Sequence, residues 1–252
     1  MHIKTQGLVL RETNYKESDK ILTVLTREGG KRTVKARGCR RKGSQLAASA
    51  QLLVWSDMEL FEYRDYFTLN EAESQEQFWG IKSDLTKLAL GSYFAEVVEA
   101  VAEEGRPDGE LLSLILNSLY ALDKLKKPEK LIKAAFELKL LCLAGYEPML
   151  DACAVCGEEE PESPRLDLSE GVLHCADCAV GEGISMPLGE TALAAMRHVV
   201  YGDPQRLFSF PIDGEGMQQM GDACEAFLMT QLERGFRTLD FYKQLTIDGG
   251  IV

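Results

Sequence analysis

Residues 20–38, KILTVLTREGGKRTVKARG, carry the pattern that decides the fold of the first part of the chain. From Ile21 to Thr26 the residues are apolar or β-branched and alternate between two faces, as in a β-strand. The pair Gly29-Gly30 then provides a turn, and KRTVKARG follows as a second arm. The stretch therefore predicts a β-hairpin.

Similar runs lie on both sides of this hairpin. IKTQGLVLRE at residues 3–12 precedes it, and QLLVWSDMELFEY at 51–63 and DYFTLNEAE at 65–73 follow it. These runs are rich in Leu, Val, Trp, Phe and Tyr, which suit strands. Five short strands with turn signals in about 70 residues are typical of a small closed barrel, and the OB-fold is the usual five-stranded one.

After Glu71 the apolar residues change to helical spacing, first in FWGIKSDLTKLALGSYFAEVVEAVAEEG. A second helix is predicted over DGELLSLILNSLYALDKL, with Asp108 as its N-cap, and a third over PEKLIKAAFELKLLCLAG. Two more are predicted over LGETALAAMRHVVYG and EGMQQMGDACEAFLMTQLERGF. Residues 151–185 are expected to be loop-like, and the terminal IDGGIV is expected to fray.

Two cysteine pairs form the sharpest local motif. They are CAVC and CADC, with 18 residues between them. This C-x2-C-x15–20-C-x2-C spacing predicts a structural zinc site, because each two-residue gap lets a turn direct two sulfurs at one ion. The predicted ligands of one structural Zn²⁺ are Cys153, Cys156, Cys175 and Cys178. Four buried free cysteines are the alternative, and His174 could replace one ligand.

Together these patterns predict an α+β multidomain protein. Residues 1–80 are expected to form an N-terminal five-stranded OB-fold β-barrel that binds nucleic acid. Residues 81–252 are expected to form an all-α helical domain, with an inserted four-cysteine zinc loop at about residues 150–185.

Charge is distributed unevenly along the chain. The 252 residues carry a formal net charge of −12. Residues 1–56 nevertheless hold 12 Lys and Arg against 4 Asp and Glu, a net charge of +8, and the remainder carries −20. This asymmetry predicts an anionic partner for the first part of the chain only.

The composition predicts a globular protein away from membranes. Hydrophobic residues make up 45% and charged residues 27% of the chain. The longest stretch without a charged residue, residues 43–56, is too short and too polar to cross a bilayer. The opening MHIKTQGLVL lacks the pattern of a secretory signal. We therefore expect a cytoplasmic protein, whose seven cysteines indicate metal binding or free thiols.

The basic segment, residues 31–42, is the candidate DNA-binding site. It contains no acid and seven cations: Lys31, Arg32, Lys35, Arg37, Arg40, Arg41 and Lys42. A solvated hairpin edge is the plainer alternative. An uncompensated cluster of this density instead favours a nucleic-acid partner. If all seven met phosphates of one single strand, the salt slope of binding would reach about −5.

Other reactive or stacking residues give weaker predictions. Five aromatic side chains near the basic segment could stack bases, but most are expected in the barrel core: Trp55, Phe61, Tyr63, Tyr66 and Phe67. Cys39 is expected to be an ordinary surface thiol. The three histidines form no H-E-x-x-H motif, and the sequence has neither a phosphate-binding loop nor a G-x-S-x-G elbow. We therefore expect a protein that is not an enzyme.

Several blocks of the sequence resemble the RecO family of bacterial recombination mediators. TQGLVLRETNYKESDKILTVLTREGGKRTVKARGCRRKGS is similar to the family's opening blocks. FELKLLCLAGYEPMLDAC, CAVCG and FRTLDFYKQL resemble its later blocks in the same order. The resemblance covers nearly the whole chain. Cys39, where the family usually has a small residue, and Ala179 in the second cysteine knuckle are departures.

The resemblance implies a function in DNA repair and homologous recombination. RecO-like proteins bind single- and double-stranded DNA, anneal complementary strands, and work with RecR to load RecA on strands coated by single-strand-binding protein. They also bind the acidic C-terminal tail of that binding protein. The implied DNA-binding residues are the seven cations of the basic segment, and the implied zinc ligands are the four paired cysteines. Arg197 and Arg237 are candidates for the tail only because they lie beside apolar residues.

Three alternatives stay open from the sequence. The first is an OB-fold protein with a zinc-braced helical domain that binds RNA. The second is a scaffold protein whose basic loop contacts an acidic protein. The third is a zinc hydrolase or deaminase, which would need an open coordination position that four cysteines do not leave. If the family's role applies, the protein is cytoplasmic and associated with the nucleoid.

Overall fold

The computed structural model describes residues 1–64, 66–178, 183–212 and 214–248. Its first five strands confirm the five predicted runs, although the fourth begins four residues later than its predicted run. They are β1 (His2–Tyr15), β2 (Asp19–Thr26), β3 (Gly30–Ala36), β4 (Trp55–Tyr63) and β5 (Tyr66–Glu76).

The five strands close into a barrel in the order β1-β2-β3-β5-β4. Strand β1 pairs antiparallel with both β2 and β4, and a short parallel pairing of β3 with β5 completes the ring. The β2–β3 hairpin predicted from residues 20–38 is present, with Lys20 opposite Ala36. Its turn needs Gly30, which has a positive φ of 62° and would place a Cβ atom 2.1 Å from the Arg106 carbonyl oxygen.

The barrel core is filled by alternate side chains from all five strands. Val9, Leu22, Val34 and Leu60 are among its buried members. Cys39 belongs to the same cluster and is only 3% exposed, so the expectation of a surface thiol is wrong. Burial raises the pKa of the Cys39 thiol, which makes it an unreactive core residue.

The described residues form seven α-helices, which include the five predicted ones. They are α1 (Trp79–Lys82), α2 (Leu85–Val101), α3 (Gly109–Lys124), α4 (Glu129–Leu143), α5 (Glu190–Tyr201), α6 (Gly214–Gln231) and α7 (Arg237–Asp248). Asp108 accepts a hydrogen bond from the Leu111 N–H, as its predicted capping role requires. Within the described residues, no helix combines the length and apolarity that a bilayer span needs.

Helix α7 is a structural element that the sequence pattern did not reveal. It includes Ile247 and Asp248, which were expected to fray, while residues 249–252 lie outside the described residues. Its start is fixed by Glu96 of α2, which accepts hydrogen bonds from the backbone N–H and the hydroxyl of Thr238. The buried ring of Phe236 also packs edge-on against Tyr93. These contacts are distant in sequence, so local periodicity does not show them.

The described residues pack as two compact units. One comprises Met1–Lys124 together with α7, and the other comprises Leu125–Gly235. The domain boundary expected at residue 80 falls inside the first unit. The boundary at residue 80 therefore stays a prediction.

The second unit contains a small sheet that corrects the expectation of a loop over residues 151–185. Its strands run in the order β6-β8-β7-β9. They are β6 (Met149–Cys153), β7 (Arg165–Asp167), β8 (Val172–His174) and β9 (Ser185–Pro187). Three of the strands have only three residues, which is too short for an alternating pattern to be recognised. Residues 179–182 of the segment lie outside the described residues.

A buried ion cluster links α4 and α6 in this unit. The Lys133 ammonium lies 2.7 Å from a Glu137 carboxylate oxygen and 2.8 Å from one of Glu225. Lys133 is 7% exposed and Glu137 is fully buried. Burial alone would lower the pKa of Lys133, but the two carboxylates outweigh it and raise that pKa. Lys133 therefore remains charged.

Candidate nucleic-acid interface and metal centre

Three cations of the basic segment are engaged by the protein itself. Lys31 donates a hydrogen bond of 2.8 Å to the Glu99 carbonyl oxygen in α2. The guanidinium of Arg32 lies over the Phe67 ring, 4.7 Å from its centroid. Lys35 pairs with Asp19 at 3.2 Å. These three side chains are half-buried, so they have less freedom to meet phosphates than the sequence suggested.

The other four cations form an exposed basic loop, residues 37–42. Arg37, Arg40, Arg41 and Lys42 are all exposed. Among the residues that the structure describes, no carboxylate forms an ion pair with any of the four. Their positive charge is therefore available to an anionic ligand.

Asp19 holds the base of the exposed basic loop. Its carboxylate accepts a 2.8 Å hydrogen bond from the Gly38 N–H and also faces Lys35. The Gly38 N–H, followed by Lys35, lowers the pKa of Asp19 below its usual value. A lowered pKa means that this anchor is intact at neutral pH and is lost only as the pH falls through that value.

Lys16 is a cation of this surface that the sequence reasoning missed. It lies in the β1–β2 turn with a positive φ of 54°, and its side chain is exposed. The Arg40 backbone N–H donates to the Ser18 carbonyl at 3.0 Å, and its guanidinium donates to the Lys16 carbonyl at 3.4 Å. The barrel hairpins thus bring Lys16 beside the exposed basic loop. Its distance of 24 residues from Arg40 hides this in the sequence.

Three of the five aromatic residues expected mainly in the core are exposed instead. Phe61, Tyr63 and Tyr66 are 38%, 59% and 77% exposed. All three lie at the β4–β5 hairpin. Side chains near its turn or on the outer face of its strands are exposed to solvent. Phe67 is buried, as expected.

The charged residues that line a surface cavity of the barrel are mainly acidic. This cavity, of about 780 Å³, lies against β1, β4 and β5. Its lining includes two cations, Lys4 and Arg27, and five carboxylates: Glu28, Asp57, Glu59, Glu71 and Glu73. This lining disfavours a phosphate backbone at the cavity.

The small sheet of the second unit brings the two cysteine pairs together. Strand β6 ends at Cys153 and pairs in parallel with β8, which ends just before Cys175. The turn that carries the first pair ends at Gly157, which directly follows Cys156. Its φ of 75° is a conformation that glycine adopts freely. In the second pair, Cys175 directly precedes a short 3-10 helix, Ala176–Cys178, and Cys178 ends it. Both knuckles therefore point their sulfurs to one place.

The four sulfur atoms have the separation that a single metal ion requires. All lie within 4.8 Å of one another, and those of Cys156 and Cys175 are 3.5 Å apart. Four sulfurs about 2.3 Å from one zinc ion would be about 3.8 Å apart. All seven cysteines of the chain are free thiols, so no disulfide competes for these sulfurs. The donor set fits a tetrahedral metal ion.

Electrostatics within the four-cysteine cluster also suit a cation. Backbone N–H groups, foremost that of Cys156, lower the pKa of Cys153 to about 5. Desolvation and the neighbouring thiols raise the pKa of Cys175 to about 12. Crowded sulfurs thus resist complete ionisation, and a bound divalent cation would offset half of the charge of four thiolates.

Two other candidate residues have different roles from those considered in the sequence. His174 is not part of the cluster, which among the described residues consists of the four cysteines. Arg197 of α5 donates to the Leu150 carbonyl at 2.8 Å and pairs with Glu160 at 2.8 Å. It therefore braces the first knuckle, which leaves less of its guanidinium for an acidic peptide. Arg237 is exposed at the start of α7.

The closed barrel and the four-cysteine cluster define the class of protein. It is an OB-like barrel protein with a helical part and a candidate metal centre. Family models for "Recombination protein O N terminal" and "Recombination protein O C terminal" match residues 1–78 and 82–240. The chain belongs to the RecO family of DNA repair proteins, as the sequence motifs suggested.

Individual relatives match over nearly their whole length. DNA repair protein RecO of Acetivibrio thermocellus is 32% identical over 97% of this chain and 97% of that protein. The RecO protein of Symbiobacterium thermophilum is 34% identical over 95% and 96%, respectively. That of Alkaliphilus metalliredigens is 30% identical over 97% of this chain and 100% of that protein.

Proposed function

We propose that the protein is a recombination mediator that binds single- and double-stranded DNA and anneals complementary strands. One observation carries the proposal: four exposed cations without ion-pair partners among the described residues form one loop on the barrel of a DNA repair protein. Annealing needs no catalytic group, only two strands whose mutual repulsion is neutralised. The proposed activity is therefore not enzymatic.

The partners proposed for this activity follow the RecO family. The protein would act with RecR to load RecA on single-stranded DNA coated by single-strand-binding protein, and it would bind the acidic tail of that protein. The net charge of −20 after residue 56 supports a division of roles. Phosphates are attracted to the first part of the chain, while the acidic remainder is left to protein partners. The proposed location is the cytoplasm, in association with the nucleoid.

A structural Zn²⁺ is the proposed occupant of the four-cysteine cluster. Cys153, Cys156, Cys175 and Cys178 would hold it, and a closed set of four thiolates supplies stability instead of catalysis. The β6–β9 sheet has few residues with which to build a core of its own. A metal ion would hold its strands together.

Annealing of two labelled complementary strands tests the proposed function. We expect changing Arg40, Arg41 and Lys42 to alanine to slow annealing about tenfold at moderate salt, because three phosphate contacts are lost. Energy transfer between the dyes on the two strands measures the rate.

A variant with Lys126, Lys127 and Lys130 changed to alanine is the matched control. It also removes three positive charges, but from exposed positions of the second unit, and it should promote annealing at the rate of the wild type. Equal slowing by both variants would show a general charge effect and contradict the role of the loop. Stronger binding to RNA than to a matched DNA strand would favour the RNA-binding alternative.

A further inference from the structure

Tyr15 is an exposed aromatic residue placed among cations. It ends β1, and 41% of its surface is accessible. The Lys35 ammonium lies 4.9 Å from the centroid of its ring, and the Lys16 ammonium lies 5.5 Å away. The Arg40 guanidinium donates to the carbonyl of Lys16. An aromatic ring therefore lies directly beside the exposed basic loop.

We infer that Tyr15 is a base-stacking residue that makes this surface prefer single-stranded to duplex DNA. The inference rests on the proposed function, because it needs the exposed basic loop to hold phosphates. Cations bind every nucleic acid through its backbone and cannot by themselves distinguish strands whose bases are free. An aromatic ring beside the cations can distinguish a single strand from a duplex. The bases of a single strand are available for stacking, whereas those of a duplex are already stacked on each other.

The surroundings of Tyr15 suit this role. The exposed Lys16 has a flexible four-carbon side chain, so its ammonium can shift from the ring to a phosphate that flanks a stacked base, while Lys35 stays paired with Asp19. Asp19, which pairs opposite Tyr15 in the β1–β2 hairpin, holds Lys35 and Gly38 and so fixes the ring relative to the loop. The ring also needs no rearrangement of the barrel core, since it already lies outside it.

Binding of the full-length protein to three DNA ligands tests the inference. The ligands are a labelled single strand, the same strand with abasic sites in place of its central bases, and the duplex. We expect Tyr15→Leu to weaken binding to the unmodified strand about 5- to 30-fold, as loss of one stacked base implies. Binding to the abasic strand and to the duplex should change by less than about twofold. Tyr15→Phe keeps the ring and should bind like the wild type.

Tyr120→Leu is the matched control, because Tyr120 is an exposed tyrosine of α3 that lies outside the barrel. It should not alter binding to any of the three ligands. Unchanged single-strand binding by Tyr15→Leu would overturn the stacking role while the proposed function stands. Equal weakening on all three ligands would also overturn it, because Tyr15 would then only position the lysines. A folded wild type that binds none of the ligands would refute the proposed function itself.

Discussion

Changing Cys175 and Cys178 to alanine is expected to abolish binding of the proposed metal ion and to unfold the small sheet formed by β6–β9. The sulfurs of the four-cysteine cluster lie within 4.8 Å of one another, and two sulfurs cannot replace the coordination of four. Structural zinc contributes about 10–16 kcal/mol of apparent binding free energy in small zinc domains at pH 7. Strands of three residues cannot compensate for such a loss.

Two measurements check this prediction on the purified full-length protein. Elemental analysis should show one zinc ion per wild-type chain and none in the variant. Hydrogen exchange should become faster in the β6–β9 sheet, while the helices keep their protection. Cys142→Ala is the control, because Cys142 lies in α4 outside the cluster. Wild-type protein that carries no metal after expression in zinc-supplemented cells would contradict the account.

Changing Lys133 to methionine is expected to destabilise the second unit by about 3–5 kcal/mol. The ammonium of Lys133 lies within 2.8 Å of both Glu137 and Glu225, and Glu137 is fully buried. Removing the cation leaves two carboxylates close together in a poorly solvated place, which costs far more than an exposed ion pair contributes. The free energy of unfolding, measured with urea, should fall by this amount.

Lys130→Met is the matched control for this effect. Lys130 belongs to the same helix, but its side chain is exposed. Its replacement should change the free energy of unfolding by less than about 0.5 kcal/mol. In a double variant that also carries Glu137→Gln, part of the lost stability should return, because one buried charge is removed. Similar stability of Lys133→Met and Lys130→Met would show that the cluster does not matter for folding.

The barrel and the four-cysteine cluster were predictable because their signals are local. A strand such as β2 shows its two faces in consecutive residues, and Gly29-Gly30 marks its turn. The spacing of Cys153, Cys156, Cys175 and Cys178 identifies the candidate ligands without any knowledge of the fold. The same four cysteines meet in the structure.

What the sequence could not show depends on contacts between distant residues. Lys31 looks as free as Arg41 in the sequence, yet it bonds to the Glu99 carbonyl, 68 residues away. Cys39 lies among arginines in the sequence but inside the barrel in space. No local pattern distinguishes such residues from their neighbours. Of the seven cations predicted to bind DNA, four are exposed without an ion-pair partner among the described residues, and Lys16 lies beside them.

Fluorescence anisotropy of a labelled single strand across a salt series tests the central claim most directly. Five exposed cations in contact with phosphates, the four of the loop and Lys16, predict a slope of about −3.5 in a plot of log affinity against log salt, instead of the −5 that the seven of the basic segment would give. Changing Arg40, Arg41 and Lys42 to alanine should reduce the slope to about −1.4. A variant with an unchanged slope, or a folded wild type that does not bind at low salt, would contradict the claim that this loop binds DNA.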